Sequence, residues 1–347
     1  MAQLEAIACP LCGEASHFLP VDVPDRDGNI RGYGAIYDGL AKSSWKICGR
    51  CGFVHQNPRP STAALDAYYL AGQYHPHHEK DPDELVAVNE PAYRDEIDFA
   101  LEHSRLRSGT VFDIGCGYGV ALKLWRDRGF EPRGVEPDRA LFEFGRSRYG
   151  LDAIENRVLD DTIGHAGSVD VAFSHHAIEH VADLHAMMRG LAKIIRPGGF
   201  VFTALPSYRR NRTTMSKLWM NSAHYSMFTV TSFNQLLARY GFVEVAHRYE
   251  RWSSTPDQFG HLAQFTGTPS DPTAFYEDAE EVARYLRVVN PLRSIAYYPL
   301  HGGYRRRLAH GVELARITVN VLRTEPAQLP RRAWKYLSWL RSRTGDV

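Results

Sequence analysis

Between residues 110 and 266, short apolar runs alternate with longer amphipathic segments. The runs at 110–114 (TVFDI), 132–136 (PRGVE), 154–159 (IENRVL), 169–173 (VDVAF), 200–205 (FVFTAL) and 242–249 (FVEVAHRY) predict strands, because each is short, apolar and bounded by turn formers. Helices are predicted over 120–128, stopped by Gly129, and over about 181–195, where Leu184, Met188, Leu191 and Ile195 recur at helical spacing before Arg196-Pro197-Gly198-Gly199 ends the pattern. A seventh strand is expected at 260–266, in preference to 315–322, where Ile317, Val319 and Val321 alternate with polar neighbours. A helix is expected at 278–289, and another opening at Thr231 or Ser232. Strands that alternate with helices in this way predict an α/β fold with a doubly wound, mostly parallel, seven-stranded sheet.

The stretch 110–125 (TVFDIGCGYGVALKLW) adds chemistry to this pattern. Its first strand runs into a turn with Gly115, Gly117 and Gly119 and then into a helix, an arrangement that brings backbone amides close to a nucleotide-like ligand. The spacing departs from the dinucleotide fingerprint GxGxxG, whose third glycine would fall at Val120. Asp113 closes the first strand. Glu136 closes the second, 23 positions later, where an acid can accept both hydroxyls of a ribose.

The motif DxGxGxG resembles the first motif of class I S-adenosylmethionine (SAM)-dependent methyltransferases, and the resemblance extends from about Tyr93 to Phe265. It implies a Rossmann-like core that binds SAM through Asp113, Gly115, Cys116, Gly117, Gly119, Glu136 and Pro137. It also implies an adenine-binding carboxylate at Asp160 and a cofactor wall to which His175 contributes backbone. In similar enzymes a tyrosine-bearing segment before the core closes over the cofactor, which points to Tyr69 and Tyr74.

Cys9 and Cys12 form one CxxC pair, and Cys48 and Cys51 form another, with 35 residues between the pairs. Two such knuckles, each followed by a glycine, suit one structural tetrahedral zinc. Residues 44–47 and 53–55 are expected to flank the second knuckle as a hairpin. A disulfide framework is the alternative; the start of the chain does not read as a signal peptide, and a reducing, cytoplasmic setting is expected. The module is similar to those preceding the methyltransferase domain of sugar C-methyltransferases and related natural-product enzymes.

Substrates of parallel α/β sheets bind beyond the carboxyl ends of the strands. After the fourth strand the chain reads SHHAIEHV, with His176, Glu179 and His180 at i, i+3 and i+4, so a helical turn would put them on one face. Ubiquinone-biosynthesis O-methyltransferases resemble this segment, with a glutamate in place of His176, and the resemblance implies a second divalent-metal site at His176, Glu179 and His180. After the fifth strand, 206–229 is long for a connection. Its Arg209, Arg210 and Arg212 predict an anionic acceptor, a nucleotide-linked or lipid-linked sugar among them. His224 is the candidate base, with His176 and His180 as rivals.

The 347 residues carry a net charge of +1, which argues against a dedicated nucleic-acid binder. Charge is uneven: between His301 and Val347 there are ten Lys or Arg against three acids. The basic amphipathic segment 331–341 could contact a membrane surface or a partner. The expected organisation is a zinc module at 1–58, a linker and cap at 59–92, a SAM-binding core at 93–267 and a helical basic extension at 268–347. O-methylation of a saccharide or another small natural product is the leading expectation. Sugar C-methylation and RNA methylation through the cysteine module are the alternatives.

Overall fold

The computed structural model of the chain describes residues 4–21, 45–64, 82–209, 224–250 and 258–286. Tyr69, Tyr74, Arg210, Arg212, the rival strand at 315–322 and the basic segment 331–341 lie outside the described residues.

Seven strands form one sheet: β6 (Gly109–Ile114), β7 (Phe130–Val135), β8 (Ile154–Glu155), β9 (Val169–His175), β10 (Ile195–Pro206), β12 (Phe242–Glu250) and β13 (Gln258–Phe265). Their order is β12-β13-β10-β9-β6-β7-β8. The four pairings from β10 to β8 are parallel, and β13 pairs antiparallel with both β10 and β12. The reversal of strand order at β6 and β9 opens a crevice at their carboxyl ends.

Helices α1 (Pro82–Ser104), α2 (Val120–Arg126), α3 (Arg139–Tyr149), α4 (Leu184–Ile194), α5 (Val230–Ala238) and α6 (Ala279–Arg284) complete the described elements. α1 and α2 bury Ile97, Phe99, Leu122 and Trp125 against Phe173 and Phe202, whose rings stack at 5.3 Å. α4 and α5 cover the opposite face with Leu184, Met188, Leu191, Phe233 and Leu236. None of the described helices is long and apolar enough to cross a membrane.

Several boundaries differ from the pattern, three of them instructively. The strand expected at 154–159 ends at Glu155, where Arg157 N–H turns back to Glu155 O, and the Asp160 carboxylate, accepting from Thr162 N–H and Arg157, holds the next turn. The helix expected from 181 begins at Leu184 under an Asp183 cap, and residues 178–180 form a separate 3-10 turn, cut off by extended Val181. α5 is capped by Thr229 in a capping box with Ser232, so it opens one residue earlier than the sequence suggests.

The N-terminal residues form a smaller four-stranded sheet in the order β11-β4-β3-β2, from β2 (Phe18–Pro20), β3 (Trp45–Cys48), β4 (Val54–Gln56) and β11 (Ser226–Met227). The hairpin expected around the second knuckle is β3–β4. β11 comes from the connection after β10, so that connection closes the cysteine sheet. β1 (Leu4–Glu5) pairs with β5 (Arg59–Pro60), and α6 packs Val282 and Ala283 beside Trp45 and Ile47.

Candidate functional site: a glycine-turn cavity and a cysteine cluster

The turn after β6 borders a cavity of about 480 Å³ at the carboxyl end of the sheet. Gly117 sits at φ 53, and a Cβ there would meet nothing within 4 Å, so the cavity begins where a side chain would stand. Gly115, at φ 72, lies so near the next crossover that a Cβ would come 2.7 Å from the Ala177 Cβ. Both conformations favour glycine, and the turn they form is held by its own amides, those of Gly115 and Cys116 donating to Val135 O and that of Gly119 to Cys116 O.

Acids line this cavity. Glu136 accepts from Gly117 N–H at 2.7 Å and Asp138 N–H at 2.8 Å, and burial pushes its carboxyl up to about 7 despite those bonds. Asp113 is raised well above the usual carboxylate range by burial first, then by Glu136 and Glu96. A ligand that brings positive charge or hydroxyl donors favours their ionised forms, which is what SAM, with its sulfonium, ammonium and ribose, offers. Pro137, Cys116 and Asp160 also border the cavity. Asp160 spends one oxygen on Arg157 and Thr162.

Beneath the turn after β9 lies a network that sequence reasoning missed. Glu96 on α1 is fully buried and accepts from His175 Nδ1 at 2.8 Å and from Gln258 Nε2 at 2.9 Å. Gln258 Oε1 accepts from His176 Nε2 at 2.7 Å. His175 therefore meets the network with its side chain and also borders the cavity. The signal in the sequence was Glu96 standing between Ala92 and Ala100 on the buried face of α1. For Gln258 there was no signal.

His176 takes a left-handed backbone at φ 51, rare for a non-glycine residue, and its N–H donates to Ala204 O. That conformation takes it out of the 3-10 turn carrying Glu179 and His180. Its Nδ1 lies 4.0 Å from Glu179, and burial, then His175, holds its pKa well below the usual histidine value. The expected grouping of His176, Glu179 and His180 is thereby corrected: the donor atoms that approach within 4.8 Å of one another belong to Glu179, His180 and His224. The rings of His180 and His224 meet edge-on at 4.6 Å, and both residues border the cavity. Glu179 is fully buried, neither carboxylate oxygen has a hydrogen-bond partner among the described residues, and burial pushes its carboxyl up to about 8.

Arg209 does not face the cavity. It is ion-paired with Glu277 at 2.9 Å and lies over the ring of Tyr285, 4.6 Å from the centroid. The expectation that it binds an acceptor anion is corrected: its charge is already matched inside the fold.

The four cysteines converge from the two knuckles, with Sγ–Sγ separations of 3.7 Å for Cys9 and Cys51 and 3.5 Å for Cys12 and Cys48. Four sulfurs at about 2.3 Å from a tetrahedral zinc would stand about 3.8 Å apart, so this donor set fits such an ion. All four are free thiols.

Residues 87–247 match the family model described as a methyltransferase domain. Ubiquinone biosynthesis O-methyltransferases of Escherichia coli O157:H7 and Shigella boydii serotype 18 are each 30% identical over 142 residues, covering 38% of this chain and 53% of the relative. The chain thus spans about half the length of the curated relatives it matches. Among solved structures, a Burkholderia thailandensis 1,6-didemethyltoxoflavin-N1-methyltransferase aligns with TM-score 0.46 and 16% identity, covering 62% of this chain and 96% of that one. A geranyl diphosphate C-methyltransferase from Streptomyces coelicolor aligns with TM-score 0.43 and 15% identity, covering 58% and 97%.

Proposed function

We propose that the protein is a SAM-dependent O-methyltransferase acting on a small acceptor, a saccharide or related natural product, with a structural zinc held by Cys9, Cys12, Cys48 and Cys51. The observation that carries this reading is that one cavity joins the Gly115–Gly117 turn and Glu136 on one side to His180 and His224 on the other. That one space would hold a nucleoside-type cofactor beside a candidate base. The saccharide class rests on the resemblance of the cysteine module, since Arg209 no longer argues for an anion. The near-neutral net charge favours a small acceptor over RNA.

Bound SAM supplies a methyl group on a sulfonium, a leaving group that needs no activation. The chain's tasks are to align the acceptor and to receive its proton. Held in that space, SAM would supply the methyl group and leave as S-adenosylhomocysteine, and the His224 imidazole would receive the acceptor's hydroxyl proton. The edge-on His180 ring restricts how that imidazole turns. Glu136 and Asp113, both lining the cavity, would hold the cofactor's ribose hydroxyls and its cationic groups.

A second reading has one observation in its favour, the buried, unpartnered carboxylate of Glu179 beside His180 and His224. These three residues would hold a divalent ion that lowers the pKa of an acceptor hydroxyl.

Calorimetry with SAM and S-adenosylhomocysteine tests the cofactor, with an expected micromolar Kd, roughly −8 kcal/mol. Transfer of a labelled methyl group from SAM to a panel of nucleotide sugars and hydroxylated natural products tests the acceptor, and NMR of the product separates O-methyl from C-methyl. Loss of transfer in chelator with recovery on adding Mg²⁺ or Mn²⁺ selects the metal reading. Failure of either cofactor form to bind rejects the proposal.

A further inference from the structure

His224 stands at the cavity, but what fixes it there comes from the far end of the chain. Gln56, the last residue of β4, makes two hydrogen bonds to the segment that carries it. Its backbone N–H donates to Tyr225 O and its side-chain Nε2 to His224 O, each at 2.9 Å. Beyond these, Ser226 pairs with His55 and Met227 with Val54. On the other side, Tyr225 N–H donates to Glu179 O at 2.8 Å. The His224 backbone is thus clamped between the cysteine sheet and the turn that carries His180.

The opposite end of the segment hangs from the same knuckle. Cys51 O accepts from Glu277 N–H at 3.1 Å, and the Glu277 carboxylate accepts from Thr229 Oγ1 at 2.6 Å. Thr229 caps α5, so this bond ends the segment that begins at His224. The contact depends on Gly52, at φ 73, where a Cβ would come 2.6 Å from Glu277 O. Both ties descend from residues 48–56, which carry Cys48 and Cys51 and fold back on β3 as a hairpin. Gln56 itself is 1% exposed, so its side-chain donor has no solvent to turn to.

We propose that the four-cysteine module is a positioning element of the transfer site, and that Gln56 is the residue through which it holds His224 opposite His180. The idea rests on the reading of His224 as the base, yet the coupling it describes is physical and can be measured without an acceptor. Metal loss from the cluster would then misplace His224 while the glycine turn and Glu136, held by the large sheet, stay in place.

The test uses the full chain with S-adenosylhomocysteine as probe. Histidine-ring NMR of selectively labelled protein, with His224→Gln to assign the signal, and amide hydrogen exchange are recorded for wild type, Gln56→Ala, Gln56→Met and protein stripped of cluster metal with a mercurial and chelator. Gln56→Met keeps the volume and removes the donor. The expected result is a shifted or broadened His224 signal and at least ~10-fold faster exchange across 224–229 in all three altered forms, with the protection of 110–136 by S-adenosylhomocysteine retained. An unchanged His224 signal with unchanged exchange after stripping overturns the proposal, and so does a change in Gln56→Ala that Gln56→Met does not share. If neither Gln56 variant folds, the stripped wild type decides. If the probe does not bind untreated wild type, the cofactor reading fails, while the His224 signal and the 224–229 exchange still decide the coupling.

Discussion

The glycine-turn half of the cavity and its histidine half are built on different principles. Asp113, Gly115, Gly117 and Glu136 sit at the ends of adjacent parallel strands, and their positions follow from the register of β6 with β7, where Asp113 lies opposite Gly134. His224 belongs to no strand of that sheet. It is placed by hydrogen bonds to Gln56, 168 positions away, and by the neighbouring backbone of Glu179. The first half should tolerate injury to the cysteine module, and the second should not.

The largest expected effect breaks that difference at its source. Cys48→Ser removes one of four thiolates from a cluster whose metal binding and folding are coupled, and zinc binding of this kind is worth about 10–16 kcal/mol in isolated fingers. Metal analysis should show a stoichiometry well below one per chain, with residues 4–21 and 45–64 losing amide protection. A full complement of zinc in this variant would mean that Cys48 is not a ligand.

His224→Ala acts on the histidine half alone. It should lower methyl transfer at least ~100-fold, the low end of general-base contributions, with S-adenosylhomocysteine affinity unchanged in calorimetry. Equal loss of cofactor affinity would instead place His224 in the cofactor's own site.

Glu136→Ala acts on the other half and should weaken S-adenosylhomocysteine by about 1.5–3 kcal/mol, the range for hydrogen bonds to a charged group. Because burial raises the Glu136 carboxyl to about 7 in the ligand-free protein, only the ionised form above that pH is ready to accept ribose hydroxyls. Affinity should therefore fall as pH drops below about 7, by up to roughly tenfold per unit, and this slope should vanish in Glu136→Ala. A flat profile in the wild type would mean that this carboxylate is not the ribose partner.

The smallest effect concerns Glu179. Its pKa in the folded state, about 8, lies above the ordinary value, so the folded protein holds a proton that the unfolded chain has released. Stability from this group is present below the ordinary glutamate pKa and is lost as pH rises through 8. Glu179→Gln, with chelator present, should raise Tm at pH 8.5 relative to wild type by a few degrees, about 1 kcal/mol. Added Mg²⁺ or Mn²⁺ that raises the wild-type Tm and not the variant's would show the carboxylate to be a metal ligand.

Much of this molecule was legible because its signals are local. The alternation of apolar runs predicted the seven-stranded sheet, since a parallel strand buried on both faces must be continuously apolar. The glycine turn and the acids at the strand ends were readable because strand, turn and helix are contiguous. The two CxxC pairs announced their cluster by spacing alone. Boundaries failed where a side chain rather than periodicity decides, as when Asp160 held the turn after β8 and Thr229 captured the cap of α5.

What the sequence by itself determined was therefore the α/β class, the place of the cofactor turn and the chemistry of the cysteine donor set. Only the tertiary structure decided which histidines meet. It removed His176 to a left-handed turn bonded to Gln258, neutralised Arg209 with Glu277, and brought Gln56 to His224 and Glu96 to His175. Periodicity and spacing register neighbours a few residues apart, whereas these contacts join segments 68 to 168 positions apart, and only packing selects them.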